Sequence, residues 1–113
     1  MSSSRLAILW TSSDREVALT MAFMYARNSK TESWWDTVRL VVWGPSAEVL
    51  AMDHDLRQQI RDLRQQGVEV LACKACADLF DVADRLSSLG VTVLPMGPEL
   101  TAMLKDDWKI LTV

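Results

Sequence analysis

The sequence predicts a single α/β domain, residues 1–113, in which helices cover both faces of a five-stranded parallel sheet. A length of 113 residues suits one domain. Short apolar runs alternate with helical patterns along the whole chain, as expected of parallel strands joined by helical crossovers. The first run, residues 6–10, is apolar without interruption, which is typical of a strand buried on both faces.

The same periodicity predicts the limits of the individual elements. Strands are expected at residues 6–10, 38–43, 68–72, 91–94 and 108–113. Helices are expected at residues 14–28, 47–66, 75–89 and 98–105, with a break in the second one near His54. Ser13 and Glu16 fit a capping box, Gly44 ends the second strand, and Pro98 suits a first helical position. The inward stripe of the third helix is expected to be Leu79, Val82, Ala83, Leu86 and Leu89.

The first helix is apolar on nearly every side. Its apolar residues are Val17, Ala18, Leu19, Met21, Ala22, Phe23, Met24 and Tyr25. A helix of this kind is usually buried on more than one side. In so small a domain a subunit interface is the natural second cover, so the sequence favours a homo-oligomer. Trp34 and Trp35, on the polar loop that follows, are expected to point to opposite sides.

Composition and charge argue against several classes of function. The net charge of −3 is small, and acidic and basic residues are interspersed along the chain, so no basic face that could bind nucleic acid is expected. The apolar run at residues 6–10 is too short for a signal-peptide core or a membrane span. We therefore expect a cytoplasmic protein, in which Cys73 and Cys76 are reduced by default.

The sequence Cys73-Lys74-Ala75-Cys76 is the one constellation with a chemical mechanism. It lies where the third predicted strand ends and the third helix begins, and ligand sites of open α/β sheets lie at the carboxyl ends of strands. Free backbone N–H groups, the helix dipole and the charge of Lys74 would favour thiolate over thiol. Asp78 and Asp81 would oppose this effect. A thiolate is the nucleophile in sulfur transfer and thiol exchange.

Other interpretations of the cysteine pair stay open. Free cysteines are often buried as small apolar side chains. A thioredoxin-like motif would follow the first strand of a βαβ unit, whereas this pair follows the third. A structural zinc site needs four ligands, and the pair with the lone His54 falls short unless subunits share a metal.

The chain resembles the DsrE/DsrF-like family, including its YchN-like branch, over nearly its whole length. The most specific segment is Gly-Val-Glu-Val-Leu-Ala-Cys-Lys-Ala-Cys-Ala-Asp at residues 67–78. Weaker similarity extends to Val-Val-Trp-Gly-Pro-Ser at 41–46, Leu-Gly-Val at 89–91, Pro-Met-Gly-Pro at 95–98 and Trp-Lys-Ile-Leu-Thr-Val at 108–113. The resemblance implies a three-layer α/β/α sandwich, the DsrEFH-like fold, and assembly as a trimer or hexamer.

The resemblance also implies a role in sulfur relay. The family's sulfur-carrying cysteine corresponds to Cys73, and Cys76 matches a second cysteine of some branches. The chain has Phe80-Asp81 where relay members carry an Arg-Gly pair, so the partner and pathway stay open. We expect Cys73 to take sulfane sulfur from a protein donor as a persulfide and pass it to a partner protein, which makes a sulfurtransferase or carrier activity the one to test.

Cys76 and Lys74 are expected to assist Cys73. Cys76 would resolve the persulfide by forming a Cys73–Cys76 disulfide, and Lys74 would keep the thiolate available. No cofactor and no resident metal are required. The alternative is a non-catalytic module of the same fold, which binds a small molecule or serves assembly while its cysteines are structural.

Overall fold

The computed structural model describes residues 3–113, and its strands form one parallel five-stranded sheet in the order β4-β3-β2-β1-β5. The strands are β1 (Arg5–Trp10), β2 (Thr37–Val42), β3 (Glu69–Cys73), β4 (Thr92–Leu94) and β5 (Lys109–Thr112). Each strand begins and ends within one residue of its predicted limits. The α/β class and the parallel sheet are therefore confirmed.

Helices connect the strands in sequence. They are α1 (Arg15–Val17), a π-helical segment (Ala18–Ala22) that continues into α2 (Phe23–Thr31), α3 (Ser46–Met52), α4 (His54–Gln65), α5 (Lys74–Leu79), α6 (Ala83–Ser88) and α7 (Met96–Lys105). Within residues 3–113, none of these helices is long and apolar enough to cross a membrane.

The order of the strands sorts the helices into two layers. The chain steps from β1 to β4 in one direction and then returns across the sheet, so β5 pairs with β1. Because parallel crossovers are right-handed, the first three crossovers cover one face and the return crossover, α7, covers the other. Burial agrees: Ile8 packs in a cluster with residues of the π-helical segment and of α2 to α6, while Leu9 packs with Met96 and Met103 of α7. The architecture is the expected three-layer sandwich.

Strand β1 lies inside the sheet and supplies both core layers. All residues from 6 to 10 are buried, as the uninterrupted apolar run predicted. Alternate side chains point to opposite faces of the sheet. On the helix-rich face Trp10 meets Phe23 edge-on, with 4.9 Å between ring centroids.

The first helix begins at Arg15, one residue later than predicted. Asp14, rather than Ser13, is the N-cap, and its side chain accepts the N–H of Glu16 at 2.8 Å. The π-helical segment then buries Ala18 and Ala22 against the sheet. Met21 and Met24 stay exposed on the opposite side of the helix in the single chain.

The loop after the first helix adds an aromatic side chain to that exposed surface. Trp34 is 54% exposed and lies 6.0 Å from the ring of Tyr25. Trp35 turns inward instead, and its indole N–H donates to the Tyr25 hydroxyl. The two tryptophans therefore point to different sides, as expected. Met21, Met24 and Trp34 form what we call the first-helix patch.

Two helical predictions are corrected by the structure. The helix expected at residues 75–89 is two helices, because Asp81 adopts a left-handed backbone (φ 57°) that ends α5. The break resets the helical phase, so Leu79 is 78% exposed instead of inward while Leu86 is buried. In addition, α7 begins at Met96, which makes Pro98 its third residue rather than its first.

The break predicted near His54 is confirmed. Asp53 has an extended backbone and separates α3 from α4. Its side chain caps α4 by accepting the N–H of Leu56 at 3.0 Å, and it also pairs with Arg15 at 2.8 Å. The hydrogen bond from Leu56 and the guanidinium of Arg15 hold the pKa of Asp53 below its ordinary value.

A pair of leucine substitutions tests the assignment of the core. Leu40→Ala, at a fully buried position of β2, should lower the free energy of unfolding by about 2–5 kcal/mol, because it removes apolar contacts and leaves a cavity. Leu79→Ala, at the exposed end of α5, should change that energy by less than about 0.5 kcal/mol. Urea denaturation followed by circular dichroism measures both, and equal losses would contradict this packing.

Candidate functional site

Cys73 and Cys76 lie at the carboxyl edge of the sheet, where the sequence placed them. Cys73 is the last residue of β3 and the N-cap of α5. Cys76 is the third residue of that helix. The strand delivers the pair to the edge, and the sharp turn into α5 brings the second thiol back toward the first. Both thiols are free.

The Cys73 side chain is packed inside the thinner core layer. Residues 70 and 72 of β3 belong to the cluster on the helix-rich face, and Cys73 points to the face that α7 covers. It shares a buried cluster with Val41 and Met96, and only 4% of the residue is exposed. A reagent in solution therefore has little direct access to the Cys73 sulfur.

Cys76 occupies a different environment. It is partly exposed and touches both core clusters, so it sits at the rim of the sheet between the two layers. Its sulfur accepts the backbone N–H of Gly44, with 3.2 Å between nitrogen and sulfur. Partial burial raises the pKa of the Cys76 thiol, the Gly44 N–H lowers it, and the neighbouring Cys73 raises it, with a net increase.

The turn after β2 presents the Gly44 N–H to this sulfur. Gly44 has a left-handed backbone with φ of 78°, which disfavours any residue with a Cβ. Ser46 holds the turn: its fully buried hydroxyl donates to the carbonyl of Trp10 at 2.6 Å and accepts the N–H of Trp43 at 3.2 Å. Because β2 lies between β1 and β3, this turn ties the ends of both neighbouring strands together.

The expected help from Lys74 and from the helix is smaller than the sequence suggested. The ammonium of Lys74 pairs with the carboxylate of Asp78 at 2.6 Å, and both side chains are more than half exposed. Its charge is therefore largely compensated and screened. The helix that follows Cys73 has six residues instead of fifteen, so its dipole is also smaller than expected.

An apolar cavity opens on the same edge of the sheet. It has a volume of about 660 Å³. Its lining residues are Ser13, Pro45, Glu48, Val49, Met52 and Phe80. Pro45 follows Gly44 directly, so the cavity begins next to the turn that contacts Cys76. Met52, at the end of α3, is 65% exposed at its rim.

The structure does not bring His54 to the cysteines. His54 is exposed at the start of α4, beyond the capping residue Asp53. Among residues 3–113, no three His, Cys, Asp or Glu side chains gather as metal ligands. The single chain thus offers no cluster in which the cysteine pair and His54 would share a zinc ion.

Comparison with known proteins decides the relationship that the sequence suggested. The model of the DsrE/DsrF-like family matches residues 5–113. The chain belongs to the DsrE/DsrF-like family. No curated protein matches it at a significant level.

Solved structures share this DsrE-like fold. The conserved protein of unknown function BT1422 from Bacteroides thetaiotaomicron is 37% identical, with a TM-score of 0.94 over 97% of this chain and 95% of that one. The protein of unknown function MTH1491 from Methanobacterium thermoautotrophicum is 20% identical, with a TM-score of 0.78 over 97% and 99% of the two chains. The YchN protein from E. coli is also 20% identical, with a TM-score of 0.72 over the same shares. The last two similarities concern the fold alone.

Sequence reasoning missed the contribution of Gly44 and Ser46. The Gly-Pro pair predicts the end of a strand, which the structure confirms, but nothing local in the sequence indicates a contact with a cysteine. The available signal was position: a glycine directly after one strand should lie beside a cysteine that directly follows another, if those two strands pair. Strand order, which was not predictable, decides whether they do.

The environment of Cys76 predicts how its alkylation depends on pH. Because only the thiolate reacts and burial raises the pKa of Cys76, its alkylation by iodoacetamide should reach half its maximal rate at a higher pH than an unperturbed cysteine. Trypsin cleaves after Lys74, which separates Cys73 from Cys76, so mass spectrometry of the two peptides follows each thiol.

Glycine substitutions isolate the contribution of the Gly44 N–H. Gly44→Ala places a Cβ on a left-handed residue, which should displace the turn and move the Cys76 midpoint to still higher pH. Gly97→Ala is the matched control, because its added Cβ would have no neighbour within 4 Å. The same midpoint in Gly44→Ala and wild type would show that the N–H contact does not stabilise the thiolate.

Proposed function

We propose that the protein is a sulfur-relay protein, which carries sulfane sulfur as a persulfide on Cys73 and passes it to a partner protein. The observation that carries this proposal is the pair of free thiols at the carboxyl edge of β3 in a chain of the DsrE/DsrF-like family. Such a relay suits the cytoplasm, where thiols stay reduced. It needs no cofactor, since the chemistry is thiol exchange.

The environment of Cys73 supports a storage role. A persulfide on Cys73 would sit among Val41, Met96 and other apolar residues of the α7 layer, where solvent reductants reach it slowly. An acceptor thiolate attacks the outer sulfur, which forms a new persulfide on the acceptor and returns Cys73 as a thiolate. When no acceptor arrives, the thiolate of Cys76 attacks the inner sulfur more slowly, which forms the Cys73–Cys76 disulfide and releases hydrosulfide, so the loaded sulfur must be measured before this discharge.

Assembly is a second part of the proposal. The first-helix patch of Met21, Met24 and Trp34 is apolar and exposed on the single chain. A shallow groove of about 250 Å³ runs along it beside Tyr25. Exposed apolar groups of this kind mark association sites when they are contiguous. We propose that copies of this chain cover the patch in a closed trimer or hexamer, the states that the family resemblance implies.

The apolar cavity beside Pro45 favours one other function. A cavity of about 660 Å³ with an apolar lining has the size of small-molecule sites. In this second candidate the protein binds a small molecule at the strand ends, and the buried Cys73 is a structural residue. The two functions differ in whether the thiols react.

Persulfide loading tests the proposed function. Wild-type protein incubated with a persulfide donor, such as glutathione persulfide, should gain the mass of one sulfur atom by intact-protein mass spectrometry. After trapping with iodoacetamide and trypsin digestion, the added sulfur should remain mainly on the peptide that ends at Lys74 and contains Cys73. The double variant Cys73→Ser/Cys76→Ser should gain nothing, because no thiolate is left to accept sulfur.

A folding control and one decisive result distinguish a relay protein from a binding module. Circular dichroism must show that the double variant keeps the wild-type fold. If the wild-type protein gains no sulfur and its thiols resist alkylation while folded, the relay function is rejected in favour of the binding module.

Charge placed on the first-helix patch tests the assembly. Met24→Glu should convert a trimer or hexamer into smaller species in sedimentation velocity at micromolar concentration, because it buries a charge in an apolar contact. Leu104→Glu, at an exposed position of α7, is the matched control and should leave the assembly unchanged. A monomeric wild-type protein would refute the proposal.

A further inference from the structure

The two thiols of the pair differ in their access to solvent. Cys73 lies in the α7 layer and is 4% exposed, whereas Cys76 lies on the rim of the sheet and is partly exposed. The side of Cys73 that faces α7 is closed by the cluster that includes Met96. Cys76 packs against the same cluster from the carboxyl edge of the sheet. A protein donor that approaches this edge therefore meets the Cys76 sulfur before the Cys73 sulfur.

We infer that Cys76 is the catalytic thiol that first receives sulfur from the donor, and that it hands this sulfur inward to Cys73. The inference rests on the proposed relay function and deepens it. It also adds to the role of Cys76, which the sequence analysis expected to be a resolving thiol. The order of transfer follows from the packing of the two sulfurs and from the hydrogen bond that Gly44 donates to one of them.

The transfer consists of two balanced thiol-exchange steps. The Cys76 thiol first loses its proton to solvent. Its thiolate attacks the outer sulfur of a persulfide donor, R–S–SH; the donor S–S bond breaks, a Cys76 persulfide forms, and R–S⁻ leaves and takes up a proton. The Cys73 thiol then loses its proton, and its thiolate attacks the outer sulfur of that persulfide; the Cys76 S–S bond breaks, a Cys73 persulfide forms, and the Cys76 thiolate that leaves takes up a proton. No net oxidation or reduction occurs, so no further reagent is needed.

The turn after β2 donates a hydrogen bond that favours the Cys76 thiolate and partly offsets the burial that raises its pKa. The thiolate is the attacking group in the first step and the leaving group in the second. In both states the Gly44 N–H, 3.2 Å from the sulfur, can donate to it. The buried Ser46 hydroxyl, bonded to the Trp10 carbonyl, keeps this N–H in position. Gly44 and Ser46 are thus positioning residues for the Cys76 sulfur.

Single variants test the order of transfer. Loading with glutathione persulfide is stopped at successive times by excess iodoacetamide, and trypsin cleavage after Lys74 reports the two cysteines on separate peptides. Cys76→Ser should slow the loading of Cys73 by about tenfold or more, because a buried thiol reacts slowly with a reagent in solution. Cys73→Ser should still gain sulfur, which stays on the Cys76 peptide because no inner thiol is left to take it.

Each outcome separates this inference from the relay proposal. If Cys76→Ser loads Cys73 at the wild-type rate, the inference is wrong and the relay proposal stands. If the wild-type protein loads no sulfur at all, the relay proposal fails as well. Cys76→Ala serves as the second variant, so that a folding defect of the serine variant, visible by circular dichroism, does not decide the result.

A measurement on the unmodified protein gives an independent answer. During brief exposure of folded wild-type protein to iodoacetamide, the Cys76 peptide should be labelled at least about tenfold faster than the Cys73 peptide, because buried thiols are inert. Unfolding in urea should abolish most of this difference. Faster labelling of Cys73 in the folded protein would overturn the inference.

Discussion

The buried position of β1 between β2 and β5 is the constraint on which the rest of the structure depends. Its odd and even residues feed two separate core layers, so both faces of the sheet must be covered. The first three crossovers cover one face, and the return to β5 covers the other. All strands are parallel, so all their carboxyl ends meet at one edge.

The candidate functional site lies at that edge. The turn after β2 and the turn after β3 are neighbours because their strands pair, and Gly44 therefore meets Cys76 across the boundary. The buried Ser46 hydroxyl joins the same turn to the end of β1. The ends of three neighbouring strands, β1, β2 and β3, are thus connected at the Cys76 sulfur. The sheet therefore fixes the geometry of this site.

The two cysteines, although three residues apart, divide between strand and helix and so acquire different surroundings. Cys73 follows the alternation of β3 into the α7 layer, while Cys76 follows the first turn of α5 to the rim. Burial and hydrogen bonding then act in opposite directions on Cys76: removal from water favours its thiol, and the Gly44 N–H favours its thiolate.

The sequence by itself determined the local features of this protein, and the tertiary structure decided the contacts between distant segments. Apolar runs such as residues 6–10 located the strands, and the strand-to-helix corner located the cysteine pair, because these signals arise within a few residues. The end of α5 at Asp81 escaped prediction, since an aspartate in a left-handed conformation leaves no distinct pattern. The Gly44 contact with Cys76 joins residues 32 positions apart and depends on which strands pair. Strand order is set by the packing of the whole sheet, so only the folded chain could decide which sulfur is buried and which one receives an N–H.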